Sequence, residues 1–315
     1  MSGPIASVDA APSAADPVVS APSLHAQSNA DALPRRGGTA WRSVLRTRSV
    51  MIGGTVILAV LLLALFAPLV APFSPDQIGV GRRLSPPSAA HLLGTDEFGR
   101  DILSRVLFGA RFTLYIGVVA VGIGLAFGVV IGAVAAYAGG WLGGLLMRAV
   151  DLLYTFPDVL IALGLVAFLG PNLTNAMIAV GISAIPYYAR VTFGVVLSER
   201  QKPYVDSAQV VGASHARVII QHLLPNVLPP MIVVASLGFS AAVLSAAALS
   251  FLGLGAQPPT PEWGLMLSTG RNYITRAPWL VIGPGIAIFV TVMAFNVFGD
   301  GVRDLLDPRQ RQRTL

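Results

Sequence analysis

An all-α integral membrane protein with six spans is the architecture this sequence predicts, and three observations carry it. Its composition is too apolar for a water-soluble domain, with 54% hydrophobic residues, 11% charged residues and a mean hydropathy of +0.72. Six long apolar runs, near 50–73, 112–138, 152–169, 173–189, 231–255 and 279–299, uncharged except for Asp158 in the third, each approach the ~20 residues needed to cross a hydrocarbon core. The basic residues gather in the segments that an even number of crossings leaves on one side of the membrane.

Segment 1–40 is rich in Ala, Pro and Ser and too poor in large apolar side chains to fold by itself, so a disordered cytoplasmic tail is expected ahead of a membrane domain over 41–315. It lacks a basic start followed by an apolar core, and the first run therefore reads as a retained anchor. Arg35, Arg36, Arg42, Arg46 and Arg48 precede that run and hold the N-terminus inside. With both termini inside, Arg148, Arg190, Arg200, Lys202, Arg217, Arg303 and the C-terminal arginines are cytoplasmic. Arg82, Arg83, Arg100, Arg105, Arg111, Arg271 and Arg276 are then external. The net charge of +6 thus serves topology rather than nucleic-acid binding.

After the first run, Thr95 is expected to cap a helix whose first turn carries Asp96 and Glu97. Asp96 with Arg100 and Asp101 with Arg105 read as helical i,i+4 pairs worth ~0.2–0.5 kcal/mol each. In the second run Gly124, Gly128 and Gly132 make one face without bulk, suited to close helix packing. Arg148 and Asp151 are expected to pair at the inner surface before the third run. Asp158, about two turns deeper and beside Pro157 and Tyr154, is a candidate cavity residue, because a carboxylate facing lipid is costly. The aromatic residues of the segment before the sixth run suit the headgroup level.

Between the fourth and fifth runs lies a polar segment, 198–230, with a readable design. Pro203 can open a helix, and Asp206 falls in its first turn. Ala208, Gly212 and Ala216 recur at helical spacing as a small-residue face, and Pro225, Pro229 and Pro230 are expected to end the unit before the next span. A short helical hairpin results.

Little in the chain suggests chemistry. With no cysteine, thiol nucleophiles and zinc–thiolate sites are excluded. A P-loop needs Gly-Lys-Ser/Thr, yet the single lysine, Lys202, stands between Gln201 and Pro203. His25, His91, His215 and His222 show no H-E-x-x-H spacing, and no serine occupies a G-x-S-x-G elbow. Metal sites, cofactor sites and catalytic residues are not expected.

Segment 203–230 resembles the E-A-A-x3-G-x9-I-x-L-P coupling loop of ABC importer permeases, with Asp206-Ser207-Ala208, Gly212 and Leu224-Pro225 in the matching places. Asp206 replaces Glu, Ser207 replaces the first Ala, and His222 stands where the general pattern has Ile, as in the peptide-transporter branch. Three further runs resemble signatures of dipeptide, oligopeptide and nickel importer permeases. They are L-G-T-D-x-x-G-R-D-x-x-S-R over 93–105, G-L-G-x-Q-P-P-x-P-E-W-G from Gly253, and N-x-x-G-D-G-x-R-D-x-L-D-P-R from Asn296.

The resemblance implies a type I importer permease of the bacterial inner membrane. Its cytoplasmic loop, through Tyr204, Val205, Asp206, Ser207, Ala208, Gly212, Ala213, Ala216, Leu224 and Pro225, would dock on an ATPase subunit. The full machine would contain a second homologous permease, two ATPase subunits that hold ATP and Mg²⁺, and an external solute-binding protein. Peptides are the implied cargo, with nickel or glutathione carried by related permeases. Tyr154 and Asp158 are the candidates for the substrate cavity. The rival reading from the residues alone is an ion- or proton-coupled carrier, which would need intramembrane charges; Asp158 and Arg190 are the ones available.

Overall fold

The structure is a computed structural model that describes residues 47–306. The expected tail over 1–40 and the end of the last signature, 307–309, lie outside the described residues. Among the described residues the secondary structure is helical apart from one isolated bridge between Thr95 and Asp101.

The first run forms α1 (Arg48–Leu65) and, past a break at Phe66, the single turn α2 (Ala67–Val70), where Pro68 occupies the amide-free start. α3 (Ile102–Ala138) begins well before residue 112 and ends at Gly139, whose φ of +61° breaks the ladder. At 1.5 Å per residue it rises about 55 Å, so it overshoots a ~30 Å hydrocarbon core at both ends. The third expected span is not one helix. α4 (Gly140–Tyr154) and α5 (Asp158–Leu169) meet at an 86° bend, because Pro157 cannot extend the ladder and disfavours a helical Phe156. α6 (Leu173–Arg200), capped by Asn172, runs past the expected end at 189 and carries Pro186 inside. Among the described residues five helices are long and apolar enough to cross a bilayer, and counting the bent pair α4–α5 as one span brings the number to six.

The polar segment forms α7 (Pro203–Val210), a turn at Gly212, the single turn α8 (His215–Arg217) and a π turn over Val218–Leu223. This flows without a stop into α9 (Leu224–Phe251), so the prolines do not end the unit as expected. Pro225 stands in the first turn of α9, and the amide of Leu224 reaches back five residues to Ile219 O. Pro229 and Pro230 each delete one rung without stopping the helix. α10 (Trp263–Gly270) is short, and α11 (Trp279–Leu306) is the last span.

α3 packs along α6 through the predicted glycine face. A Cβ on Gly124, Gly128 or Gly132 would run into Tyr188, Ala189 or Thr192. Backbone-to-backbone approach of this kind replaces the hydrophobic drive that lipid removes.

At the end of the bundle where α3 begins, segments 71–101 and 255–278 fold into a capping lobe. Here the structure corrects the expectation for 95–105. Asp101, not Thr95, is the N-cap of α3, accepting from Ser104 N, and Asp96 and Glu97 lie in the preceding turn. Asp96 does pair with Arg100, at 2.6 Å, but in a loop and nearly buried rather than on a helix surface. Asp101 pairs with His91 at 2.9 Å instead of Arg105. Arg105 donates to Pro75 O and Pro259 O, stitching both lobe segments to α3. The aromatic residues also differ from expectation, since Trp263 is buried and donates to Val106 O, and Trp279 donates to Thr95 O. Glu262 caps α10 with both oxygens, accepting from Gly264 N and Leu265 N, and its burial pushes the carboxyl above the usual range.

Candidate functional site

Two places in the fold can do something that helix packing alone does not need. The first is the loop between α6 and α9. α7 is amphipathic in a specific way: Val205 is fully buried and packs with Val218, Leu223, Val227 and Val196, against the α3 side chains Ala133 and Ala136. Tyr204, Ala208 and Ala213 pack at the edge of this cluster. Ala208, Gly212 and Ala216 therefore do not share one face. Val210 closes α7, Gly212 adopts φ +88°, and Ser214 starts a new turn by accepting from Arg217 N. Of the residues singled out by the sequence, Asp206, Ser207, Gly212, Ala216 and Pro225 are exposed, together with Val210 and Val211.

Val210 and Val211 are 87% and 88% exposed, two adjacent apolar side chains at the turn that closes α7. Sequence reasoning missed them, although two adjacent valines before a turn glycine were the available signal. Among the described residues, none other than its chain neighbours comes within 4 Å of where a side chain on Gly212 would begin.

Polar contacts tie this loop to the spans beneath it. Tyr137 Oη, at the end of α3, meets His215 Nδ1 at 2.7 Å. Tyr204 donates to Glu199 at 2.9 Å and accepts from Asn226 Nδ2 at 3.2 Å, linking α6, α7 and α9. Partial burial, then the Glu199 bond, push the Tyr204 phenol up. Arg200 donates to Ala136 O.

The second place is a cavity of about 380 Å³ at the bend of α4–α5. Tyr154, Phe156 and Asp158 come from the bend, Ser183 and Tyr187 from α6, and Ser245 from α9. The structure thus brings the two candidate residues, Tyr154 and Asp158, to one wall. Asp158 is exposed and accepts from its neighbour, Val159 N, at the start of α5. A carboxylate at a helix start, beside aromatic faces, suits a cationic or amine-bearing visitor.

Just beyond the cavity the expected Arg148–Asp151 pair is absent. Asp151 instead bonds Arg190 of α6 at 2.5 Å, and the Arg190 guanidinium lies 5.8 Å from the centre of the Tyr154 ring. The 86° bend separates α4 from α5, which a reading of 152–169 as one straight span could not foresee.

The arrangement has relatives. The family model described as the binding-protein-dependent transport system inner membrane component matches residues 128–312, and that of the N-terminal TM domain of oligopeptide transport permease C matches residues 36–87. The dipeptide transport system permease protein of Alkalihalophilus pseudofirmus is 44% identical over 272 residues, covering 86% of this chain and 90% of that protein. The di/tripeptide transport system permease protein of Pseudomonas aeruginosa is 45% identical, covering 85% and 91%. A chain of the inward-facing MetNI methionine ABC transporter shares the fold with a TM-score of 0.55 at 18% identity, covering 65% of this chain and 98% of that one. The chain belongs to the family of inner-membrane components of binding-protein-dependent transport systems, and it is a multi-pass membrane transport subunit.

Proposed function

We propose that this chain is one permease subunit of an ATP-driven importer of di- and oligopeptides. In this reading the cavity at the α4–α5 bend is its share of the path, and the α7 loop is the dock for an ATPase. The observation that carries the reading is the loop. Its base is fixed to α3, α6 and α9 by Tyr137, Glu199, Tyr204 and Asn226, while its tip offers Val210 and Val211, exposed among the described residues. A push on the tip thereby reaches three spans. Tyr204, Val205, Ala208 and Ala213 hold the loop's shape. Asp206, Ser207, Val210, Val211, Gly212, Ala216 and Pro225 meet the partner, with Leu224 starting α9 beneath them.

ATP and Mg²⁺ belong to two ATPase chains, a homologous permease completes the path, and an external solute-binding protein delivers cargo. Both termini lie in the cytoplasm, so the loop is cytoplasmic and the capping lobe external; the arginine distribution supports this. The peptide cargo follows the names of the relatives and the chemistry of the cavity, where Asp158 can receive an amino terminus among aromatic walls.

Proteoliposomes containing the co-expressed permeases, ATPases and binding protein should accumulate radiolabelled dialanine when ATP is supplied on the loop side. Uptake driven by an imposed ion gradient without ATPase chains would instead establish a coupled carrier. A tag after Leu315 that external protease cuts in intact cells would overturn the orientation.

A further inference from the structure

We propose that the Asp151–Arg190 ion pair is a latch that closes the inner end of the cavity and must open for solute to pass; this rests on the permease reading above. Position is the first argument. Arg190 stands ten residues before Arg200, about 15 Å from the end of α6, so the pair lies within the helical bundle rather than at the end of α6. On α6 the cavity wall includes Tyr187, and Arg190 follows it by three residues; on α4 the wall includes Tyr154, and Asp151 precedes it by three. Both charges therefore sit one helical turn to the same side of the cavity, the side toward the loop.

Exposure is the second argument. The two side chains remain 51% and 46% exposed, although charges facing hydrocarbon are disfavoured. Such a pair faces water or the partner permease, which is the path. Its accessibility also keeps it weak enough to exchange partners.

The third argument is mechanical. Each arm of the latch carries a proline break close by. Pro186, one turn before Arg190, removes the rung to Ile182 O in α6, and Pro157 sets the 86° bend that follows α4. The helices can then part at the pair without separating along their length. Arg190 over the Tyr154 ring makes the wall of the cavity move with the latch.

The chain contains no cysteine, so thiol probes report only introduced sites. In the complete transporter, Asp151→Cys with Arg190→Cys is treated with a short, reducible bis-thiol crosslinker, and dialanine uptake is measured before linking, after linking and after reduction. The latch predicts that linking stops uptake and reduction restores it. In parallel, Asp151→Ala and Arg190→Ala should each raise ATP hydrolysis without solute about fivefold, as loss of a partly exposed pair frees the closed state. The swap, Asp151→Arg with Arg190→Asp, should return it toward the starting value, which a merely structural loss would not do.

Linked complexes that transport as fast as unlinked ones, or thiols that never link in any state, overturn the proposal. Should the double-cysteine complex be inactive before linking, the swap decides alone, and no recovery overturns it. Wild-type complexes without ATP-dependent uptake would refute the permease reading instead, a separate outcome.

Discussion

The capping lobe and the α7 loop are built at opposite ends of α3 from similar polar material, yet they are held in different ways. In the lobe, Asp96, Asp101 and Glu262 are buried, and their oxygens are taken by Arg100, His91, Ser104 and backbone amides. Arg105 and two tryptophans then bond across segments far apart in the chain. Groups of this kind have one low-energy arrangement, since any shift strands a charge or donor away from water. Beside its buried Val205 cluster, the loop is held by single, mostly exposed hydrogen bonds, a π turn and proline-depleted rungs, and its tip is exposed among the described residues. One end is a fixed frame and the other is a part that can move with a partner. In the orientation proposed above, rigidity belongs to the side that would meet solute and compliance to the side that would meet the ATPase.

Changes that attack the frame should be the most damaging. Asp96→Ala removes the 2.6 Å partner of the buried Arg100, leaving it only Glu97 at 3.8 Å, and should cost about 3 kcal/mol. Thermal unfolding in detergent should show a large drop in Tm; an unchanged Tm would mean that the lobe is not a frame. At the loop, Gly212→Leu places a bulky residue at φ +88°, a strain of about 1–2 kcal/mol, and adds bulk at the docking tip. Uptake should fall while ATP hydrolysis and membrane insertion persist. Gly212→Ala separates the causes: an equal loss identifies backbone strain, a smaller one identifies bulk.

Asp158→Asn keeps size and removes charge at the cavity. Assembly should be normal and dialanine uptake reduced about tenfold, the worth of one charge-assisted hydrogen bond. Failed assembly would show a structural ion pair across to the second permease. Tyr137→Phe deletes only the solvent-exposed bond to His215 and should lower uptake a few-fold with no change in Tm. An equal fall in stability would turn the loop's anchor into part of the frame and blur the contrast.

The helical membrane class and most of the spans were legible because long apolar runs have few alternatives, and the glycine face of α3 was legible because helical spacing alone defines it. What escaped had a common cause: competition between local rules and contacts distant in sequence. Asp101 could cap α3 or pair with Arg105, and only His91 and Ser104, brought in by the lobe, decide that. Asp151 had Arg148 one turn away, yet the bend at Pro157 presents it to Arg190, thirty-nine positions on. The three prolines looked terminal, but a π turn shifts the ladder and α9 continues through them. For the loop, motif resemblance located the segment, whereas which of its residues face outward depended on the buried Val205 cluster.

The central claim is that the exposed tip of the α7 loop is the ATPase dock, and Val210→Asp with Val211→Asp tests it most directly. Neither side chain supports the fold, so the variant chain should insert and unfold at the wild-type Tm. Affinity purification from gentle detergent should then recover the permease with its ATPase subunits bound at least about tenfold more weakly, because two apolar contacts are replaced by charges. ATPase recovery equal to wild type, at equal permease yield, would contradict the account and move the dock elsewhere on the chain.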